Sequence, residues 1–177
     1  AGAVEDPVDL ARAWLVRHQD PKTGLWSAKG GVGDCSCGVE GVERHDPGVS
    51  GLALLALLGE PGEHEDDIRA AVTGLIGIQK AGKFGVSGSH DYIYTHAVCV
   101  WALCEAMDKA SIDWEECRRA VQLGVDLIVS ARSKRGGWRY DLRGAGGHDS
   151  SVTTWCVLAL VAARRAGFEV SDQDLLG

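Results

Sequence analysis

The sequence predicts an all-α chain of three helical hairpins, each a helix, a Gly-aromatic turn and a second helix opened by His-Asp. Two observations carry this. The first is self-similarity at long period. His45-Asp46-Pro47-Gly48-Val49-Ser50-Gly51-Leu52 through Leu57 aligns without a gap on His148-Asp149-Ser150-Ser151-Val152-Thr153-Thr154-Trp155 through Leu160. The segment from His90-Asp91 to Leu103 joins them with one inserted residue, which makes Ser50, His96 and Thr153 equivalent. The second is periodicity: Leu15, Leu75 and Leu127 are each followed by Val16, Ile76 and Ile128 and preceded one turn earlier by Ala11, Ala71 and Leu123. That spacing is a helix with one buried face.

The first helix of each hairpin is amphipathic, with Arg12, Arg17, Asp67, Arg69, Glu116, Arg118 and Arg119 on its polar side. It ends in Gly24-Leu25-Trp26, Gly82-Lys83-Phe84 or Gly136-Gly137-Trp138, where glycine frees the backbone and the aromatic folds back over the helix end. The second helix is more apolar all round, as a helix buried on most sides must be. Helices are expected near 6–19, 46–58, 64–80, 90–109, 113–132 and 149–166, in repeats near 6–58, 64–109 and 113–166. The first helices form an outer layer, the second an inner one, and the whole is a curved array in one domain, 1–177. Val170 to Gly177 reads as a capped helix start, so the chain is expected to be a fragment of a longer one.

Composition narrows the function. With 18 Lys and Arg against 25 Asp and Glu, and a net charge of -7, the chain lacks the clustered cations that a nucleic acid needs. Arg132, Lys134 and Arg135 are the one dense basic run and read as a solvated helix end. No stretch reaches the roughly 20 apolar residues of a membrane span, and a soluble, cytoplasmic protein is expected. Cys99, Cys104, Cys117 and Cys156 lie in apolar helical patterns and are expected to be buried thiols. Gly30-Gly31-Val32-Gly33 lacks the strand before it and the Lys-Ser/Thr of a phosphate loop. Ser50, His90 and Asp46 have no nucleophile elbow.

Trp14-Leu15-Val16-Arg17-His18-Gln19 with Gly24-Leu25-Trp26 resembles the Gln-Trp repeat of squalene and hopene cyclases. Gly136-Gly137-Trp138-Arg139-Tyr140-Asp141 through Trp155 is similar to bacterial prenyltransferase/squalene oxidase repeat proteins. So are His45 to Leu55 and Ser89 to Tyr94. The resemblance implies the α/α toroid of terpenoid cyclases and protein prenyltransferases, a ring of roughly six hairpins around a cavity. Three hairpins make about half a ring. Its exposed flanks are expected to meet further repeats or a second copy, as a homodimer.

The family's chemistry finds only partial counterparts. Class II cyclases protonate substrate from an Asp-x-Asp-Asp motif opening an inner helix. Asp149 matches its first residue, but Ser151 and Val152 stand where the others belong. Asp46 is followed by Gly48 and Val49, and the second repeat carries Tyr92, Tyr94 and Thr95. Prenyltransferase zinc needs Asp, Cys and His together. Thr95-His96 is a loose counterpart of one half, and Asp34-Cys35-Ser36-Cys37 sits at the wrong place for the other.

Three functions remain open. One is a non-catalytic scaffold or a domain of a larger bacterial protein that binds a ligand or partner, with an apolar or isoprenoid ligand as one candidate. Another is an isoprenoid-handling enzyme whose acid or metal ligands lie outside these residues. The third is a zinc site at the toroid mouth from Cys35, Cys37 and His45. Candidate ligand-binding residues are His45, Asp46, His90, Asp91, Tyr94, His96, Trp101, His148, Asp149 and Trp155. Their plainer readings compete: Asp46, Asp91 and Asp149 as helix caps, and Trp101 and Trp155 as core. The three His residues before those Asp residues are the part capping does not explain.

Overall fold

A computed structural model describes residues 6–30, 35, 37, 41–112, 114–140 and 147–176. Gly31, Val32, Gly33, Asp34, Ser36 and Asp141, named in the motifs above, lie outside the described residues. The outer helices are α1 (Pro7–Arg17), α3 (Glu65–Ile78) and α5 (Glu115–Ser130). The inner helices are α2 (Asp46–Leu57), α4 (Tyr92–Lys109) and α6 (Ser150–Arg165). A short α7 (Asp172–Leu176) follows, capped by Ser171, whose hydroxyl accepts the Asp174 N–H at 3.1 Å. Among the described residues there is no strand, only two isolated bridges within turns. All six expected helices form, each within three residues of its expected bounds.

The helix α4 lies between α2 and α6 and packs closely on both. Fourteen of its 18 residues are buried, consistent with an inner helix apolar on nearly all sides. Glycine permits the contact with α2: a Cβ on Gly51 would stand 2.9 Å from Val98, and one on Gly48 would stand 3.2 Å from Thr95. The core is one cluster running from Trp26 and Leu54 through α4 to Leu160 and Ala163. Cys99, Cys104, Cys117 and Cys156 are buried in it. Burial holds the Cys99, Cys104 and Cys156 thiols far above their ordinary range.

One polar side chain on each inner helix pins the turn of its own hairpin. The Trp26 N–H donates to Ser50 Oγ at 2.9 Å. The Phe84 N–H donates to His96 Nδ1 at 3.2 Å, and the Trp138 N–H to Thr153 Oγ1 at 3.1 Å. The aligned positions Ser50, His96 and Thr153 thus share one task. Each buried aromatic then covers the outer helix. The indoles of Trp26 and Trp138 donate to the Leu15 and Ile128 carbonyls at 2.7 and 2.6 Å, whereas Phe84 has no such donor.

Glutamine joins one hairpin to the next. Gln19 donates to Gly24 O of its own turn and to Asp67 O on α3, both at 2.8 Å. Gln79 does the same with Gly82 O at 3.4 Å and Ala120 O on α5 at 2.8 Å. The third hairpin has Ala131 at this position, and Arg132 takes over by bonding the Gln173 carbonyl on α7 while lying over the Trp138 ring, 5.2 Å from its centre. Arg132 is therefore not the solvated cation expected of it; Lys134 and Arg135 are exposed. Gly24 has to be glycine at this junction. Its φ is +71°, and a Cβ there would stand 2.2 Å from the Ala70 carbonyl oxygen on α3.

His96 is fully buried, and accepting from Phe84 at Nδ1 makes it the Nε2–H tautomer, which donates to Gly124 O at 3.0 Å. Burial pushes its pKa from 6.5 down to about 4, the Gly124 carbonyl opposing only in part. Unfolded chains take up this proton near pH 6.5 and the native one near pH 4. Stability from the neutral His96 is therefore complete above pH 6.5 and falls by roughly 3 kcal/mol as pH drops toward 4. Urea unfolding across this window should show that loss. His96→Gln, which keeps one donor and one acceptor, should remove most of the dependence, and an unchanged pH profile in the variant would contradict the assignment.

Candidate functional site

The inner helices open side by side, and their first turns form a polar and aromatic rim. His45 Nδ1 meets Asp91 Oδ2 at 2.6 Å and joins the first hairpin to the second. The Tyr140 hydroxyl donates to Asp149 Oδ2 at 2.9 Å, and Ser151 Oγ donates to Asp149 Oδ1 at 2.5 Å. Ser151 also shares a short hydrogen bond with the Tyr94 hydroxyl, joining the second hairpin to the third. The rings of Tyr94 and Tyr140 stand 5.9 Å apart, and His90 stacks on Tyr140 at 4.2 Å.

The rim residues hold one another rather than a common centre. Asp149 caps α6 as expected, accepting the Ser151 and Val152 N–H groups at 2.9 and 3.1 Å. Asp46 and Asp91 do not cap. Asp46 reaches back to the Ala28 N–H at 2.8 Å, and Asp91 turns to His45. The capping expectation is corrected at these two positions: Asp46 stands in the first turn of α2 with His45 at its cap, and the Asp91 carboxylate is taken up by His45. The three His residues also diverge: His45 pairs with Asp91, His90 lies on Tyr140, and His148 packs against Gly137, where a Cβ would stand 2.9 Å from its own. No three-ligand group forms at the rim among the described residues.

The carboxylates are set for ionisation. Asp149 is held down at about 2 by the Ser151 hydroxyl, the Val152 N–H and the Tyr140 hydroxyl. For Asp91, burial raises the pKa, but the Ser89 hydroxyl, its own backbone, His45 and Arg44 outweigh it and leave it lowered. A cyclase acid needs the opposite, a carboxyl kept protonated by an apolar surround.

Behind the rim, a groove of about 240 Å³ runs between α2, α4 and α6, on the side away from the outer helices. Val49, Leu52, Val98 and Trp155 line it, with His45, Asp91 and Tyr94 at its edge. Leu52 is 48% exposed and Leu158, one turn beyond Trp155, is 37% exposed. Trp101 and Trp155 extend the groove as a tilted pair with ring centres 5.8 Å apart. The Trp101 indole donates to Glu105 at 3.2 Å, and Arg165 and Lys109 hold that carboxylate at 3.5 and 3.0 Å. Both Trp residues are half-buried, neither sealed in the core nor free of it.

A larger cavity, about 400 Å³, lies between the first two Gly-aromatic turns. Asp46 is the only expected site residue that lines it. Within its lining, Asp46 accepts the Ala28 N–H and Glu43 pairs with Lys29 at 2.5 Å. The groove, with open apolar surface and aromatic edges, is the better ligand site.

Four of the expected residues, His45, Asp91, Tyr94 and Trp155, therefore meet at the groove, with Trp101 as its continuation. His96 does not reach it, being fully buried with both nitrogens engaged. Sequence reasoning missed Val49, Leu52 and Val98, which read as ordinary core, and Tyr140 and Ser151 of the rim network. It also missed His18. Cys35 and Cys37 lie against the His18 ring rather than against His45. The spacing of Trp14 and His18, one helical turn, was the available signal.

No family model matches the chain, and neither a curated protein nor a solved structure does.

The rim geometry ranks Asp149 above Asp91. Asp149→Ala removes a cap and two hydroxyl partners and should destabilise the chain more than Asp91→Ala does. Asp91→Ala breaks a partly exposed contact with His45 and should cost under about 1 kcal/mol. Equal losses in urea titrations would contradict this division.

Proposed function

We propose that this chain is a non-catalytic binding scaffold, using the groove of its inner helices for an elongated apolar ligand. The observation that carries the proposal is the partly exposed Leu52 and Trp155 lining that groove, with Trp101 packed on Trp155. Apolar surface kept open beside a hydrogen-bonded rim is how a ligand groove differs from a core. At about 240 Å³ it falls just below the usual range for an enclosed small-molecule pocket, which suits one stretch of a chain-like molecule. The resemblance to cyclase and prenyltransferase repeats points to isoprenoid chains as the ligand class. Asp149 held ionised at about 2 and Asp91 paired with His45 favour binding over acid catalysis at these positions.

Titration with farnesol or geranylgeraniol, followed by tryptophan fluorescence, should give saturable binding. Leu52→Asp should weaken it by at least about tenfold, because a carboxylate then faces the apolar ligand. Absence of binding by the folded wild-type chain, or equal binding by the variant, would contradict the proposal.

A second observation concerns partners. The helix α1 has no buried residue, and Val8, Leu10 and Trp14 are 53, 50 and 48% exposed, while α3 and α5 bury apolar residues of the same layer. We infer that a second copy of the chain covers α1. Light scattering at tens of micromolar should give a dimer mass, and Leu10→Glu should lower it to a monomer. A monomeric wild type would overturn this reading.

A further inference from the structure

At the end of α1 a second cluster lies apart from the groove residues. His18 Nε2 stands 2.9 Å from Cys35 Sγ and 3.0 Å from Cys37 Sγ. The two cysteines are joined as a disulfide, with Cα atoms 5.6 Å apart. The Cys37 N–H donates to Cys35 Sγ at 3.2 Å. Among the described residues this is the one place where three ligand-type side chains converge.

The His18 ring is oriented before any ion arrives. Its Nδ1–H donates to the Trp14 carbonyl at 2.6 Å, one turn back along α1. The Trp14 indole stacks on the imidazole, with ring centres 3.9 Å apart and planes 19° from parallel. With the proton on Nδ1, Nε2 presents a lone pair. That lone pair faces two sulfurs which, while joined, have no proton to offer it. A backbone carbonyl on one ring nitrogen with the other free for a ligand is the arrangement that orients metal-binding histidines. His18 and Cys35 are half-buried and Cys37 is exposed, so an ion and a reductant can both reach them.

We propose that Cys35, Cys37 and His18 form a redox-gated zinc site, loaded only when the disulfide is reduced. A small thiol reductant supplies two electrons and two protons. The S–S bond breaks, two cysteine thiols form, and the reductant leaves as its own disulfide. Zn2+ then displaces both thiol protons to solvent and binds two thiolates and His18 Nε2. Released from each other, the sulfurs can part to the separation of about 3.5–4 Å that two zinc-bound thiolates adopt at Zn–S bonds of about 2.3 Å. Soft thiolates with one imidazole suit zinc over hard cations such as Mg2+ or Ca2+. Three protein ligands leave a fourth position for water or an exogenous ligand. The zinc site expected at the toroid mouth with His45 is thereby moved to the end of the first outer helix. The groove proposal does not depend on it, and neither fails with the other.

The test uses the intact chain, treated with a non-thiol phosphine reductant and dialysed against Zn2+, then against Co2+ as a spectroscopic probe. The reduced protein should retain about one equivalent of zinc and show a thiolate-to-cobalt charge-transfer band. The oxidised protein should retain under about a tenth of an equivalent. His18→Ala and Cys37→Ser should each weaken zinc binding by at least about tenfold, while His45→Ala leaves it unchanged; circular dichroism confirms that each is folded. Less than about a tenth of an equivalent in the reduced, folded wild type would overturn the proposal. So would binding that persists in His18→Ala or disappears in His45→Ala.

Discussion

The hydrogen bond from the aromatic residue of each turn to a side chain on the inner helix is the contact on which the rest of the structure depends. It occurs three times, at Trp26–Ser50, Phe84–His96 and Trp138–Thr153. A turn that reverses direction between two buried helices carries a backbone N–H into the interior, and an N–H left there without an acceptor costs about 1–3 kcal/mol. Placing one acceptor on the inner helix meets that need and sets the register of the hairpin at the same time. The aromatic ring is then fixed over the outer helix, and the amide of Gln19 or Gln79 passes the same geometry to the next hairpin.

With the hairpins held this way, the inner helices present equivalent first turns side by side. The groove and its rim follow from that alignment. Small residues on α2 bring it against α4, and α4 is buried so thoroughly that it serves as the fixed wall of the groove. The more exposed Leu52 and Trp155 come from its two neighbours. The rim then has little freedom. The Asp149, Ser151, Tyr94 and Tyr140 side chains satisfy one another, and ionised carboxylates are the natural state of such a network.

Much of the fold was legible in the sequence, since helical periodicity and self-similarity are both carried by residue type and spacing. Aligning Ser50, His96 and Thr153 made the three positions equivalent without revealing their task, since serine, histidine and threonine have little in common except an acceptor atom. The site was legible only in part. His45, Asp91, Tyr94 and Trp155 were found because the repeat marks the start of every inner helix. His96 was misplaced for the same reason: a histidine near a helix start looks the same in sequence whether its nitrogens face a cavity or a turn. Asp46 and Asp91 look like caps, and nothing in their spacing reveals that α2 already starts at Asp46 or that His45 takes the Asp91 carboxylate. His18 was passed over because it belongs to an outer helix, and nothing in the sequence spacing ties it to Cys35 and Cys37.

Hydrogen exchange at the turn amides addresses the pinning contact itself. The N–H groups of Trp26, Phe84 and Trp138 sit in turns, where exchange is ordinarily fast. If each is bonded to an inner-helix side chain, all three should exchange as slowly as amides in the middle of α4. Exchange at the rate of exposed loops at these three positions, with α4 still protected, would contradict the account.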